Sequence, residues 1–220
     1  MFSCRVKVFL ETMLESGIEE IFLPRTARMK SEKVSNAKKE LLQLRERVIR
    51  CTKCDELVQN RHSVVFGSGN PNAKLVFVGE APGAEEDRQG LPFVGPAGQL
   101  LTKMIEAIGL KREEVFIANV LKCRPPANRT PKPEEIKNCE PYLVKQLALI
   151  QPNLICALGT FAAQTLLKRA TPISSLRGKI HDYHGIPVLC TFHPAYLLRN
   201  PSEKRRSWED LKKLRSLLGS

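Results

Sequence analysis

Four cysteines are the strongest chemical signal in this sequence. Cys51 and Cys54 form a C-x-x-C pair where a predicted helix ends, and Cys123 and Cys139 follow much later in the chain. Four thiolates can hold one zinc ion tetrahedrally, and they can equally ligate an iron–sulfur cluster. Zinc ribbons favour two C-x-x-C pairs, whereas the second pair here is spread apart, so the spacing mildly favours iron–sulfur. On the residues alone both kinds of metal site stay open.

A second set of polar residues lies directly after apolar runs of the sequence. Asn119 ends one run, His193 follows another, and the segment Gly-Glu-Ala-Pro-Gly at residues 79–83 follows a third. Carboxamide, imidazole and backbone amide groups donate and accept the hydrogen bonds that a small planar heterocycle needs. These groups predict a binding site if the fold brings the three segments together.

The elements that must position these residues alternate between strands and helices. Short apolar runs predict strands, and amphipathic spacing with Pro, acidic residues or Gly at the ends predicts helices. This alternation predicts an α/β fold with a parallel sheet covered on both faces, whose ligands lie beyond the carboxyl ends of the strands. The predicted strands are residues 75–78, 115–120, 154–158 and 186–192, and the main predicted helices are residues 35–50, 98–109, 133–150, 160–168 and 202–218.

Length and charge limit the classes of protein to which the chain can belong. Its 220 residues fit one domain with a terminal extension, and 35 Lys and Arg against 23 Asp and Glu give a net charge of +12. That excess suits a polyanionic partner such as nucleic acid. No secretory leader or long apolar stretch is visible, and the 7 cysteines are odd in number and widely spaced. We therefore expect a reducing, cytoplasmic location and no membrane contact.

Residues 1–33 are the least readable part of the chain. We predict that they form an N-terminal extension with a short amphipathic helix at about residues 9–21. Met29 lies just before the first clear domain signal, so it is a candidate for the natural start of the protein. One further hypothesis is that this extension recruits a replication or repair protein, such as a polymerase or a sliding clamp.

Four motifs resemble those of the family 4 uracil-DNA glycosylases. The first motif is GEAPGAEED at residues 79–87, and the second is HPAYLLRNP at residues 193–201. The segments GLPFVGPAG at residues 90–98 and NVLKCRP at residues 119–125 also match. Each motif alone is weakly specific, but their joint order together with the four cysteines is highly specific. The resemblance runs from about Ser35 to the C-terminus, which makes residues 34–220 the predicted glycosylase domain.

The resemblance implies a base-excision repair enzyme. Such an enzyme flips uracil out of single- or double-stranded DNA and hydrolyses its N-glycosidic bond, leaving an abasic site. The family's fold is a four-stranded parallel sheet between helices, which agrees with the pattern of elements. The resemblance also implies a 4Fe–4S cluster on Cys51, Cys54, Cys123 and Cys139, with a structural role. Because Cys123 closely follows Asn119 in the sequence, cluster ligation would hold the loop that begins at the asparagine.

The same resemblance implies roles for the pocket residues. Phe93 stacks on the flipped base, Asn119 matches the imide edge of uracil, and His193 stabilises the negative charge that develops on uracil O2. The alternatives are core packing for Phe93, turn capping for Asn119 and a structural role for His193. The implied uracil-binding residues are Gly79, Glu80, Ala81, Phe93, Asn119 and His193.

Three carboxylates, Glu80, Glu86 and Asp87, are the candidates for positioning the attacking water or stabilising the sugar cation, and of these Glu80 and Glu86 are favoured. Related glycosylase families carry an acidic residue where this chain has Ala81, so we expect no strong general base there and an oxocarbenium-like transition state. We assign these roles to Glu80 and Glu86, which complete the predicted catalytic set with His193. The alternative for the acidic run at residues 85–87 is a favourable helix start.

The chain lacks the features of the superfamily branch that traps the abasic sugar covalently on a histidine. The corresponding loop, residues 124–131, contains no histidine, and the first motif has Ala81 where that branch has glutamine. We therefore predict a monofunctional hydrolase that turns over without a covalent adduct.

The segment after His193 is the candidate DNA contact. We expect Leu197 and Leu198 to be exposed and to fill the gap left by the flipped base, and Arg199 to contact phosphates. We expect a monomer whose partner is uracil-containing DNA. The competing interpretation is a non-catalytic nucleic-acid-binding module with a four-cysteine zinc site, which gives the pocket residues no role.

Overall fold

The computed structural model describes residues 25–219 of the chain, and it describes side chains from residue 37 onward. The chain divides into two units, residues 1–36 and residues 37–220. Of the first unit only the beginning of helix α1, Arg25–Ile49, is described, and α1 begins earlier than the predicted start at Ser35. The helix predicted at residues 9–21 lies outside the described residues. In the described part of the chain, no helix has both the length and the apolarity needed to cross a bilayer.

Six strands of the described chain form one sheet. They are β1 Ser68–Gly69, β2 Leu75–Gly79, β3 Phe116–Asn119, β4 Leu154–Leu158, β5 Ile180–Tyr183 and β6 Ile186–Thr191. The order is β1-β3-β2-β4-β6-β5, and the four inner strands are parallel. Every residue of β2, β3 and β4 is buried, which explains why these strands are continuous apolar runs in the sequence. The predicted α/β fold with four parallel strands is confirmed.

The predicted sheet is incomplete at its edges, where two short antiparallel strands were missed. β1 has only two residues and pairs with β3. β5 pairs with β6 through a tight turn at His184 and Gly185, both of which have positive φ. In β5 only Tyr183 is buried, whereas Ile180 is 48% exposed. Neither edge strand therefore has the run of buried apolar residues by which the inner strands were recognised.

Helices cover both faces of the sheet. Alternate residues of β2 divide between two hydrophobic cores: Val76 and Val78 pack with the helices at residues 25–49 and 133–150, and Leu75 and Phe77 pack with those at residues 96–107 and 204–217. The helices after α1 are α2 Asp55–Asn60, α3 Ala84–Gln89, α4 Pro96–Ala107, α5 Pro133–Ile150, α6 Thr160–Leu167, α7 Ile173–Leu176, α8 Pro194–Arg199 and α9 Lys204–Leu217.

The longer helices lie close to their predicted bounds. α5 has the predicted bounds, with Pro133 in its first turn and the acidic residues that follow it near the positive end of the helix dipole. α4 begins at Pro96 rather than at Gly98, since proline is well suited to the first helical position. The short helices α2, α3, α7 and α8 have four to six residues each, too few to show a helical period in the sequence.

Candidate active site

A cleft of about 380 Å³ lies beyond the carboxyl ends of the parallel strands, where ligands of such sheets bind. β2, β3 and β6 end next to it, so the loops that follow these strands meet there. The structure thus brings together Phe93, Asn119 and His193, which are far apart in the sequence. The cleft is lined by Glu80, Ala81, Pro82, Gly83, Glu86, Phe93, Ala97, Asn119, Pro125, Asn128, Arg129, His193, Ala195 and Arg199.

Asn119 lines the cleft, and its amide oxygen is buried. The residue is 2% exposed, and its Oδ1 has no hydrogen-bond partner among the described residues. Leaving such an atom unpaired costs about 1–3 kcal/mol, so this oxygen needs a partner that the described side chains do not supply. Gly79 makes room for this arrangement: a Cβ there would lie 2.3 Å from Asn119 Oδ1 and 2.6 Å from the Phe93 ring.

Residues 79–81 both pair with the chain that follows β3 and form part of the cleft. The carbonyl oxygens of Gly79 and Glu80 accept hydrogen bonds from the amides of Val120 and Leu121, at 2.9 and 3.0 Å. These bonds continue the β2–β3 pairing past the end of the strands. Glu80 and Ala81 line the cleft, whereas Gly79 contributes the space that its missing side chain leaves.

His193 is held as a neutral ring. Its Nδ1 accepts a hydrogen bond from the amide of Ala195 at 3.1 Å, in the first turn of α8. Burial, together with a smaller contribution from the Arg199 charge, lowers the pKa of His193 to about 4, and the Glu86 charge opposes this shift. At neutral pH the ring therefore carries one proton, and because Nδ1 is an acceptor that proton lies on Nε2. The ring centroid lies 5.6 Å from that of Phe93.

Glu80 is a cleft carboxyl with an altered acidity. Burial alone raises the pKa of Glu80 to about 7, so both the protonated and the ionised forms exist near neutral pH. A carboxyl poised in this way inside a cleft is typical of a group that takes part in chemistry.

Glu86 binds the protein backbone. Its Oε1 accepts from the amides of Val94 at 2.8 Å and Gly95 at 3.0 Å, and its Oε2 accepts from the amide of Gly83 at 3.1 Å. It stands at the third position of α3, where it forms part of a capping box. These contacts favour the alternative stated for the acidic run, a helix start, and they make Glu86 a residue that positions the loop carrying Phe93.

The four predicted ligand cysteines meet in a small second cavity. Cys51, Cys54, Cys123 and Cys139 all line a space of about 20 Å³. Burial raises the pKa of the Cys139 thiol to about 12 and raises the pKa of Cys54 and Cys123 as well, so as free thiols they hold their protons. In the described part of the chain, no three His, Cys, Asp or Glu side chains are arranged to hold a single metal ion.

N–H groups donate to three of these sulfurs. Arg61 Nη1 lies 3.1 Å from Cys123 Sγ, and Arg61 Nη2 donates to the carbonyl of Cys51 at 2.9 Å. The Lys122 amide lies 3.2 Å from Cys139 Sγ, and Asn138 Nδ2 lies 3.7 Å from Cys54 Sγ. Donors around thiolate sulfur are a feature of cysteine-ligated clusters, so the donor set fits an iron–sulfur group.

Lys122 connects the two cavities, although no feature of the sequence pointed to it. The residue is 1% exposed; its Nζ donates to the carbonyl of Asn119 at 2.7 Å and to Gln146 Oε1 at 2.6 Å. Burial lowers the pKa of Lys122 to about 8, while the neighbouring Cys139 and Cys123 oppose the shift. A lysine beside a cysteine in a loop gives no local signal that it will be buried.

The loop at residues 124–131 lines the cleft, although the sequence analysis considered it only for a missing histidine. Arg129 in this loop donates to both carboxylate oxygens of Glu135, at 3.0 and 2.6 Å, and to Glu56 at 3.0 Å. Ala127 and Asn128 both have positive φ. In the sequence, an arginine within a proline-rich segment directly after β3 was the feature that could have pointed to this loop as part of the cleft.

The expectation of two exposed leucines after His193 is wrong for Leu197. Leu197 is 1% exposed and packs into the core formed with α4 and α9, because α8 turns one face towards the sheet. Leu198 is 42% exposed, and Arg199 is exposed and lines the cleft. Only Leu198 and Arg199 of the predicted DNA contacts are therefore available to a large ligand.

Two thirds of the chain match one known protein family. The sequence model of the Uracil DNA glycosylase superfamily matches residues 66–212. The chain belongs to this superfamily. It is 47% identical to the type-4 uracil-DNA glycosylase of Archaeoglobus fulgidus, over 78% of this chain and 90% of that protein. It is 46% identical to the type-4 enzyme of Thermotoga maritima, over 82% and 96%, and 31% identical to a type-5 uracil-DNA glycosylase of Pyrobaculum aerophilum, over 69% and 80%.

These comparisons confirm the resemblance to family 4 uracil-DNA glycosylases, because identity to the type-4 enzymes is higher and extends further. The superfamily match includes Phe93, Asn119 and His193, and it begins after Cys51 and Cys54. Membership of the superfamily is therefore established without the C-x-x-C pair.

Proposed function

We propose that this uracil-DNA glycosylase excises uracil from single- or double-stranded DNA by hydrolysis of the N-glycosidic bond, releasing free uracil and leaving an abasic site. The observation that carries the proposal is the unpaired Oδ1 of Asn119, which lies in one cleft with the neutral ring of His193 and the Phe93 ring. The type-4 relatives bear the name of this activity, which supports it.

Asn119 would distinguish uracil from cytosine. Uracil presents an N3–H donor beside the O4 acceptor, and a carboxamide offers the complementary acceptor and donor. Cytosine has an unprotonated N3 and an amine at C4, so Asn119 Oδ1 would stay unpaired against its N3. An unpaired buried oxygen costs about 1–3 kcal/mol, which is enough to reject the wrong base by up to about 100-fold.

Phe93 would compensate for the loss of base stacking in the duplex. Extruding a nucleotide costs a few kcal/mol, and stacking of a base on an aromatic ring contributes about 1–3 kcal/mol. The Phe93 ring is 6% exposed and borders the space next to Gly79, so it both packs into the core and forms a wall of the cleft.

His193 would stabilise the leaving uracil anion. Its Nε2–H is free to donate to uracil O2, because Nδ1 is occupied by the Ala195 amide. The lowered pKa keeps the ring neutral, so it acts through a fixed hydrogen bond to the developing charge rather than by proton transfer.

Glu80 would act on the sugar side of the reaction. In its ionised form the carboxylate can orient the attacking water or stabilise the oxocarbenium-like sugar. Glu86 is less suited to this role, because its carboxylate already accepts three backbone amides. We therefore assign water positioning to Glu80 and loop positioning to Glu86.

We propose that Cys51, Cys54, Cys123 and Cys139 hold a 4Fe–4S cluster. Four thiols around one cavity, with N–H donors at their sulfurs, fit such a group. When bound, the cluster would cross-link the loop after β3 to the start of α2 and to α5, which is a structural contribution. Brown, iron- and sulfide-containing protein after anaerobic purification would support it, and colourless protein loaded with zinc would overturn it.

Exposed residues at the cleft end of the molecule are the proposed DNA contacts. Leu198 would fill the gap in the duplex and Arg199 would contact a phosphate, since both are exposed at the cleft end of the molecule. We propose a reducing, cytoplasmic location, because clustered cysteines that hold a metal group are typical of such a compartment. We expect a monomer, and any partner contact through residues 1–33 concerns a segment of which the structure describes only the end.

An excision assay tests the proposed function. A labelled oligonucleotide with one uracil, and matched ones with thymine or cytosine, are incubated with the protein and treated with alkali, which cleaves at abasic sites. Cleavage only of the uracil strand is the expected result. No cleavage by protein with its full metal content would overturn the proposal. A protein–DNA band that survives denaturant would overturn the prediction of a non-covalent reaction.

A further inference from the structure

The loop that carries Phe93 has an unfavourable backbone conformation. Phe93 has a φ of 52°, in the left-handed region that residues other than glycine rarely adopt. Gly98 in α4 allows this backbone to pass closely, because a Cβ at Gly98 would lie 1.8 Å from the Phe93 carbonyl oxygen. A strained turn beside a cleft persists only when surrounding groups hold it, and here two charged side chains do so.

Arg112 binds the carbonyl side of this loop. It lies in a single 3-10 turn, Arg112–Glu114, between α4 and β3. Its Nη2 donates to the carbonyl oxygens of Pro92 at 2.6 Å and Phe93 at 3.0 Å, and its Nη1 donates to Thr102 Oγ1 at 3.0 Å. The guanidinium thus joins the loop to α4.

Glu86 binds the amide side of the same loop, at Val94 and Gly95. The peptide unit between Phe93 and Val94 is consequently held at both ends: Arg112 binds its carbonyl oxygen, and Glu86 binds its N–H. Two opposite charges therefore fix the plane of this peptide, and that plane sets the direction in which the Phe93 side chain leaves the backbone.

We propose that Arg112 is a positioning residue for base excision, which sets the Phe93 ring against the flipped base through the carbonyls of Pro92 and Phe93. The proposal rests on the proposed function, because it concerns the same cleft. Arg112 does not line the cleft, so it acts only through Phe93. A guanidinium suits the task because its rigid fork places several donors at once, whereas an ammonium is a point charge.

The test is a double-mutant cycle in single-turnover excision, with Arg112→Met, Phe93→Ala and the combination of both. Arg112→Met keeps much of the side-chain volume and removes the donors. We expect it to lower the excision rate by between about 10-fold and about 100-fold, the upper end being the effect of misplacing a reacting partner by about 1 Å. In the Phe93→Ala background no ring remains to be placed, so Arg112→Met should add less than about twofold.

Two further variants separate positioning from general stability. Arg112→Lys keeps one charged donor and should recover part of the rate. Thr102→Ser keeps a hydroxyl acceptor for Nη1 and should excise at nearly the wild-type rate. The affinity for uracil-free DNA and the visible absorbance should be unchanged in all of them, whereas inhibition by free uracil should weaken in Arg112→Met.

The outcomes distinguish this inference from the proposed function. A wild-type protein that excises no uracil would overturn the function itself. An active wild type together with full additivity of Arg112→Met and Phe93→Ala would overturn the positioning role and leave the function standing. If Arg112→Met does not fold, the same cycle is run with Arg112→Lys, and additivity there overturns the role equally.

Discussion

The base cleft and the cysteine cavity are opposite kinds of site built on neighbouring loops. In the cleft, the Asn119 amide oxygen has no partner among the described residues, and the lining residue His193 uses Nδ1 to accept from the Ala195 amide. In the cysteine cavity, N–H groups of Arg61, Lys122 and Asn138 already contact the sulfurs. The cleft is suited to a ligand that enters and leaves, and the cavity is suited to a group that stays.

The two sites are linked by one short segment. Asn119 ends β3 and Cys123 follows closely, and between them the buried Lys122 holds the Asn119 carbonyl while its own amide contacts Cys139. A group bound by the cysteines would therefore stabilise the loop that begins at Asn119, which we propose to recognise the base. We therefore predict that substitutions in the cysteine cavity remove the bound metal. Substitutions in the cleft should instead lower the excision activity and leave the metal in place.

The largest effect is expected at the cysteines. Cys54→Ser should abolish the cluster absorbance and the bound iron, because the serine hydroxyl is a poor substitute for a thiolate ligand. The matched control is Cys190→Ala, a buried cysteine in β6 away from the cavity, which should keep both. Iron analysis with visible spectroscopy makes the measurement, and unchanged iron in Cys54→Ser would contradict the assigned ligand set.

The next largest effect is expected at His193. His193→Ala removes a donor aimed at developing negative charge and should lower the single-turnover rate by about 10²–10³. Absorbance of the cluster and affinity for DNA should stay at their wild-type values. A rate within twofold of the wild type would remove His193 from the catalytic set.

A smaller effect is expected at Asn119. Asn119→Ala loses hydrogen bonds to the base worth about 1–3 kcal/mol, so kcat/KM on uracil-DNA should fall by up to about 100-fold with the cluster intact. Asn128→Gly is the matched control, because that cleft amide already has a partner in Arg124 at 2.8 Å and glycine tolerates the positive φ of residue 128. Equal losses in the two variants would show that Asn119 has no special role in binding the base.

The smallest effect on the excision rate is expected from a change of pH that alters the charge of Glu80. The pKa of Glu80 is raised to about 7, so its carboxyl is neutral below that pH and ionised above it. If the carboxylate is the active form, the rate rises with pH and falls about tenfold for each unit below the midpoint. His193 does not change charge in this window, since its pKa is about 4. Glu80→Gln should flatten the profile, and a wild-type profile that is already flat would exclude Glu80.

The sequence was sufficient for the inner framework of the fold. β2 and β4 are fully buried parallel strands, so their apolar runs could be recognised directly, and α5 carried clear start signals. Asn119 and His193 could be placed at one edge of the sheet because parallel strands end together. The four cysteines could be grouped by their residue type and by family resemblance.

Other features depend on tertiary contacts that no local pattern reveals. Arg112 and Lys122 resemble ordinary surface cations in the sequence, yet one binds two loop carbonyls and the other is fully buried. Leu197 and Leu198 are neighbouring residues of the same type, yet Leu197 is buried and Leu198 is exposed because they lie on different faces of α8. The role of Glu86 likewise depends on a loop that folds back onto its carboxylate.

The most direct test of the central claim is to identify the released base by mass spectrometry. Iron-loaded protein in excess is mixed with an oligonucleotide carrying one uracil, and separately with one carrying cytosine at the same position. The structure predicts one equivalent of free uracil from the first and no free base from the second. An intact uracil oligonucleotide at the end of the reaction would contradict the assignment of the cleft as a uracil-excising site.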